Sequence, residues 1–514
     1  MSYQERSNGL IRTRFDRRQL LRFGAAAGIG PATVGVWAGR SAAQESAATP
    51  PSVGPLPANV SVIADGLENP RYLAIADDGT IYISEGGSAG SDAIFATPGV
   101  GTPPAVEAVA TRGETGFISA LAPDGTKTVV ADGFPSYLFG TEIVGPSGIA
   151  LVEGKLIFVN GGAGPSTPIV TQLPNENSVI SIDLATGEST NIANIGQYEL
   201  SNNPDPNAVD SNCYDLIVAN GIAYVSDAGG NTVYTVDLAT NELKVLAVIP
   251  GLPGLGPNPA RQGKDEIDPV PTGLAMLPDG TLLVGLLSGA PFAPGSAGIL
   301  KVAPDGSVSN WAGGLTTVVA VAAAPDGTIY ATQLTSNFFG EPMGAGSIVR
   351  VAVDGSSEIV LDGLNKPNGL AFDATGDLYV IVNTFGTAIG GALLKVADPG
   401  SLTNVAIASP VATEPVATPE PVMSGPGTTI EAQDIKFVPK EFDVPAGTDF
   451  TLTIKNAGFI PHDFHIDSPL IDTGTIQSGA EASVVLNLPA GDYGFYCTVP
   501  GHKQAGMIGT VHVN

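Results

Sequence analysis

Six times between residues 69 and 381 the chain repeats one pattern: a short apolar run, a tight turn and a second apolar run. The copies are "NPRYLAIADDGTIYISE" (69–85), "GPSGIALVEGKLIFVN" (145–160), "DLIVANGIAYVSD" (215–227), "PTGLAMLPDGTLLVG" (271–285), "VVAVAAAPDGTIYAT" (318–332) and "PNGLAFDATGDLYVI" (367–381). The Asp-Gly pairs suit hairpin turns. After most copies come a third apolar run, such as "GILKVAPDG", and a fourth, such as "SEIVLDGL".

A four-strand unit repeated six times, with a spacing near fifty residues in the later copies, predicts a six-bladed β-propeller over residues 57–400. The ends agree. "VSVIADGLENP" (60–70) matches "SEIVLDGLNKP" (357–367), an outer strand leading into the next blade. The last unit lacks a fourth strand, and residues 60–66 can supply it, closing the ring and removing exposed edges. Long insertions follow second and fourth strands only. They therefore gather on one face, where function tends to reside. The other face carries tight turns.

The N-terminus reads as an address. "RFDRRQLLRFGAAAGIG" sets Arg17 and Arg18 before Leu20, Leu21 and an apolar run to about Ala38, and "SAAQ" offers small residues for cleavage after Ala43. Residues 1–43 resemble a bacterial twin-arginine export signal, which implies delivery of a folded protein to the periplasm, cell surface or medium. The alternative is an uncleaved anchor, but the run is short and broken by Gly and Pro31. No stable membrane span is expected after cleavage. The formal charge is −28. Such acidity argues against nucleic acid and anionic lipid as partners; it suits solubility, salt tolerance or the attraction of a basic partner. After Gly400, "SPVATEPVATPEPVMSGPGTT" has no hydrophobic period, and residues 401–428 read as a Pro-rich linker.

Residues 429–514 alternate like a β-sandwich, and "YCTVPGHKQAGM" (496–507) sets Cys497, His502 and Met507 in a C-x4-H-x4-M spacing. Upstream, "NAGFIPHDFHID" offers His462 and His465; on a strand His462 shares the apolar side of Phe464 and Ile466, whereas His465 sides with Asp463 and Asp467. These motifs resemble the cupredoxins of the plastocyanin and azurin kind, which hold a type 1 (blue) copper in a Greek-key β-sandwich. The resemblance implies one copper on His462, Cys497, His502 and Met507: a thiolate, two imidazoles and a weak axial thioether. Asp463 stands where that family usually has an Asn tying the two ligand loops together, with Thr498 as the receiver of the bond. Phe459, Ile460, Pro461, Pro500 and Ile508 would form an apolar collar at the edge of His502. His465 reads as a surface residue and His512 as an ordinary strand histidine.

Counting limits the chemistry. The chain has four His, none before residue 462, and two Cys. A second copper site of the multicopper-oxidase kind lacks imidazoles, and a binuclear copper site lacks its neighbouring Cys. No C-x-x-C-H haem attachment occurs. In an exported protein a Cys213–Cys497 disulfide would be the default, yet it would destroy the copper site. Cys213 is therefore expected as a lone buried thiol.

The propeller resembles six-bladed propellers of the NHL and gluconolactonase-like group, and most of all those associated with scytonemin biosynthesis; "ADGLENPRYLAIADDGTIYISEGG" carries the likeness. Glu85, Asn160, Asp227, Gln333 and Asn383 end second strands, and Arg71 and Asn368 begin first strands. The gluconolactonase-like group holds a divalent metal with such residues, which implies Ca²⁺ in the channel. The other reading is that polar strand ends meet water there. Three functions follow: an exported one-electron carrier whose propeller docks a redox partner; a propeller redox enzyme or lactonase-like hydrolase joined to the copper domain; and a copper-binding or scaffold protein.

Overall fold

The repeated hairpins share one local device. In Asp-Gly-Thr and Asp-Gly-Ser turns the Asp carboxylate accepts the N–H two residues on, as from Thr80 to Asp78 (2.9 Å) and from Thr328 to Asp326 (2.8 Å). The glycine between them sits at φ 85° (Gly79) or 87° (Gly327), where a Cβ would strain the backbone. A computed structural model of the chain describes residues 56–514 except 96–107, 140–141, 163–171, 208, 259–260, 339–342, 385–389, 407–427, 434–435, 458–461, 477–479, 500–501 and 504–506. The export signal expected over 1–43 lies outside the described residues, as does most of the linker.

The hairpins build six antiparallel sheets. Blade one contains Pro70–Ile75, Ile81–Glu85, Ala108–Leu121 and Lys127–Phe139. Blade two is Pro146–Val152, Lys155–Asn160, Ser178–Asp183 and Ser189–Asn194; blade three is Cys213–Ala219, Ile222–Asp227, Thr232–Asp237 and Leu243–Val248. Blade four runs from Pro271–Met276 to Val308–Leu315, and blade five from Val318–Ala323 to Ser357–Leu364. Blade six takes three strands, Leu370–Phe372, Leu378–Val382 and Gly391–Val396, and its fourth is Val60–Leu67. Val60 pairs with Val396 and Leu67 with Gly391, as the matching ends predict.

The first strands form a ring. Each lies beside the first strand of the blade before and after it, and Leu370–Phe372 returns to Pro70–Ile75. This is a closed six-bladed β-propeller. Small residues permit the approach: a Cβ on Gly273 would stand 2.3 Å from Cα of Ala320, and one on Gly369 would stand 2.6 Å from the Arg71 carbonyl.

Three stretches read as plain loops or linker have structure of their own. The insertion after blade two contains a helix, Ile195–Asn202, whose N-terminus is capped by the Asn194 side chain accepting from Gln197 N–H at 2.7 Å. The insertion after blade three contains a hairpin, Leu252–Asn258 with Lys264–Ile267. Beyond Gly400, Val405–Ala406 pairs in parallel with Ser357–Leu364 and becomes a fifth strand of blade five.

The C-terminal unit packs two sheets. One orders Lys436–Val438, Thr428–Gln433, Phe450–Asn456 and Glu481–Leu486; the other orders Glu441–Val444, Ile508–Val513, Gly491–Tyr496, His465–Ile466 and Ile471–Asp472. Two pairings are parallel, Thr428–Gln433 with Phe450–Asn456 and Glu441–Val444 with Ile508–Val513. Between the sheets, Phe437, Phe442 and Phe464 gather around Phe495 with ring centroids 5.0, 5.7 and 4.7 Å from it. Cys497 and Met507 belong to this same core, so the ligand loop is anchored in the apolar interior.

Candidate metal centre

The site grows out of the end of a hairpin. Gly491–Tyr496 runs antiparallel to Ile508–Val513, with Tyr496 opposite Ile508. The segment between them folds back on itself through three backbone bonds: Cys497 N–H to the Met507 carbonyl (3.2 Å), Met507 N–H to the His502 carbonyl (2.9 Å) and His502 N–H to the Val499 carbonyl (3.0 Å). His462 arrives just ahead of the neighbouring strand His465–Ile466, on a bridge with Ile476; its N–H donates to the Ile476 carbonyl at 3.0 Å, and Ile476 N–H donates back at 2.6 Å.

The side chains then converge. Cys497 Sγ lies 3.3 Å from His502 Nδ1 and 3.9 Å from His462 Nδ1. The ligand atoms of all three lie within 4.8 Å of one another, and all three residues are buried. Met507 is fully buried on the same loop. Burial pulls the imidazoles down, to about 3 for His462, with the field of His502 adding to it, and to about 4 for His502. Both rings are therefore neutral at physiological pH, with lone pairs free to bind. Burial also pushes the Cys497 thiol up to about 12. His462 Nε2 is buried without a partner. The cost of burying that ring is thus not offset on the Nε2 side, and Nδ1 faces the sulfur. Two imidazole nitrogens turned to one buried sulfur form a donor set that fits a soft or borderline cation. Among the described residues no other group of His, Cys, Asp and Glu comes together in this way.

Comparison with known proteins agrees with this geometry. Residues 406–509 match the model of the cupredoxin-like domain family. The C-terminal unit is a cupredoxin-like domain. Among solved structures, this part of the chain is similar to auracyanin from the photosynthetic bacterium Roseiflexus castenholzii, at 22% identity over 18% of this chain and 99% of that one (TM-score 0.17). The larger part is similar to a putative oxidoreductase (glucose dehydrogenase) from Thermus thermophilus, at 15% identity over 66% of this chain and 99% of that one (TM-score 0.40). It is also similar to a gluconolactonase from Xanthomonas campestris, at 15% identity over 65% of this chain and 88% of that one (TM-score 0.38). No curated protein matches the chain.

In the cupredoxin-like domain the remaining histidines stand apart from the cluster. His465 is held by carboxylates, Asp472 at 2.7 Å and Asp467 at 3.3 Å, which raise its pKa. His512 pairs with Asp492 at 2.7 Å. Alternation placed Asp463 with His465 on the outer side, and here the structure differs: Asp463 is buried, 5% exposed. It accepts Thr498 N–H on Oδ1 at 2.6 Å, and Thr498 Oγ donates to Oδ2. The chain around it is not a regular strand, so the two-residue period fails. The tie expected between Asp463 and Thr498 is therefore present. Of the proposed collar, Ile508 is 52% exposed; Phe459, Ile460, Pro461 and Pro500 lie outside the described residues. Neither Cys213 nor Cys497 is in a disulfide.

The polar residues expected to ring the propeller channel have other occupations. Glu85 accepts from Glu68 N–H (2.7 Å) and Ser119 Oγ (2.5 Å) and pairs with Lys127 Nζ (2.7 Å). Asn160 Nδ2 donates to the carbonyls of Gly161 (2.8 Å) and Pro135 (3.2 Å). Asp227 Oδ1 accepts three backbone N–H groups, from Asn212, Gly229 and Gly230. Gln333 bonds Thr316 N–H and Ser347, and Asn383 bonds Asn365. No carboxylate cluster fit for Ca²⁺ appears among the described residues.

Arg71 and Asn368 do come together, through a residue that sequence reading passed over. The Arg71 guanidinium lies 5.2 Å from the ring centre of Tyr214, and Asn368 Nδ2 donates to the Tyr214 hydroxyl at 3.2 Å. Arg71 also pairs with Glu142 at 3.2 Å. Tyr72 reaches across to the Val319 carbonyl at 2.6 Å. All four of Arg71, Tyr72, Tyr214 and Asn368 are buried. They fill the centre of the ring rather than line an open channel. Beside them, where other blades have Gly148, Gly273, Ala320 and Gly369, blades one and three have the larger Tyr72 and Asp215.

Proposed function

We propose that the cupredoxin-like domain holds one type 1 copper on His462, Cys497, His502 and Met507, and that the chain is an exported one-electron carrier whose propeller docks a redox partner. The observation that carries this reading is the buried meeting of His462 Nδ1, His502 Nδ1 and Cys497 Sγ, with Met507 on the same loop. Bound copper would supply a Cu(II)/Cu(I) couple that takes up and releases single electrons. The protein's part is to hold the donors still and dry. Three backbone bonds set the positions of Cys497, His502 and Met507, and the Ile476 bridge sets that of His462. Burial keeps water from the donors, and four protein ligands leave no position for a substrate.

The family match supports the assignment to this domain. The twin arginines Arg17 and Arg18 support export, and the net charge of −28 supports a basic partner. The filled centre of the propeller supports docking through its loops over chemistry in a channel. Among the described residues no helix is long and apolar enough to cross a membrane.

Titrating the intact metal-free protein with Cu(II) tests the reading. An intense blue band that saturates at one copper per chain, bleaches on reduction and is missing in Cys497→Ser is expected. A colourless saturated protein would overturn it.

A further inference from the structure

Asp463 is a buried carboxylate beside the proposed copper donors. It directly follows His462, and both of its oxygens accept from Thr498, the residue directly after Cys497. One side chain thus clasps the His462 segment to the Cys497 segment. The clasp is made by both oxygens of an acidic side chain, where an amide would offer one oxygen and one NH₂.

We infer that Asp463 is a positioning residue whose fixed negative charge also holds down the reduction potential of the copper site. The inference rests on the copper reading above. When the site takes up one electron its net charge falls by one, and a nearby buried anion opposes that change. The same anion favours the oxidised site. Close, partly desolvated charges interact strongly enough to change such an equilibrium on the order of tenfold. For a one-electron couple a tenfold change corresponds to about 59 mV.

Asp463→Asn separates charge from clasp. An Asn oxygen can still accept Thr498 N–H, and its NH₂ can donate to a rotated Thr498 hydroxyl, so the tie survives while the charge is lost. The copper-loaded full chain and this variant would be equilibrated with redox dyes, and their visible spectra recorded alongside. The expected result is an unchanged blue band with a potential raised by an amount equivalent to roughly tenfold. Thr498→Val, which removes the hydroxyl and keeps the charge, should move the potential less. A variant that stays blue at the wild-type potential overturns this inference and leaves the copper assignment standing. A wild-type chain that never turns blue overturns the copper assignment itself. Should Asp463→Asn fail to fold, a Thr498→Val potential shifted up by the full tenfold equivalent would also overturn the inference, because the charge is still present there.

Discussion

The side-chain amide of Asn368, at the entry to blade six, donates to the hydroxyl of Tyr214 in blade three at 3.2 Å, so blades on opposite sides of the propeller are joined through its centre. With Tyr72 reaching the Val319 carbonyl, the centre works as a small polar core. Tyr214→Phe should cost about 1 kcal/mol by losing one buried hydrogen bond. Tyr214→Ala should cost about 3–5 kcal/mol by leaving a cavity. Denaturant unfolding followed through Trp311, the one Trp after residue 43, measures both. Equal stability in all three proteins would show that the centre is open.

Ring closure runs along a single strand pair, Val60–Leu67 with Gly391–Val396. Leu67 is 1% exposed at the end of the closing strand, whereas Val62 on the same strand is 41% exposed. Leu67→Ala is expected to cost about 2–4 kcal/mol, and Val62→Ala less than about 0.5 kcal/mol. The same fluorescence titration ranks them. A reversed order would place the closing contact elsewhere.

Asp215 gives the propeller a pH dependence. Burial pushes its carboxyl up to about 7, against the opposing N–H bonds from Leu274 (2.8 Å) and Leu216 (2.7 Å). The folded state therefore keeps a proton that the unfolded chain loses near pH 4. Stability contributed by that proton is greatest in acid and falls as pH rises from about 4 to 7. Melting temperatures across that range should decline for the wild type and lose most of the slope in Asp215→Asn, which is less stable overall. A slope that persists in the variant assigns the effect to other carboxyls.

The two clustered histidine motifs should behave oppositely. At a hundredfold excess of copper over the dissociation constant, binding stabilises the folded domain by about 2.7 kcal/mol. Calorimetry should show that gain in the wild type and in His465→Ala, and none in His462→Ala. His465→Ala should itself cost no more than about 1 kcal/mol, since its partners Asp467 and Asp472 are on the surface. Loss of the copper effect in His465→Ala would exchange the two roles.

The architecture and the soft-ligand cluster were legible for the same reason: both repeat or concentrate a local pattern. Asp-Gly turns mark hairpins because turn chemistry is local, and Val60–Leu67 was placed because its sequence repeats that of Ser357–Leu364. His462 and His465 were separated by side-chain alternation. Alternation failed at Asp463, where the backbone leaves strand geometry to reach Thr498. For the polar strand ends, position along a strand does not say what a side chain meets: Glu85 meets Lys127, and Asp227 Oδ1 meets three backbone amides. The Tyr214–Asn368 contact joins residues 154 apart in the chain, and no local pattern announces it.

The pairing of Val60 with Val396 also sets an order of events at the ribosome. The first-made strand has no partner until the last blade has been synthesised, so the propeller cannot finish folding while its chain is still growing through blade six. Its slow, long-range closure belongs to a time after translation, and any machinery that moves the protein must either wait for that seam to zip or carry the chain with it undone.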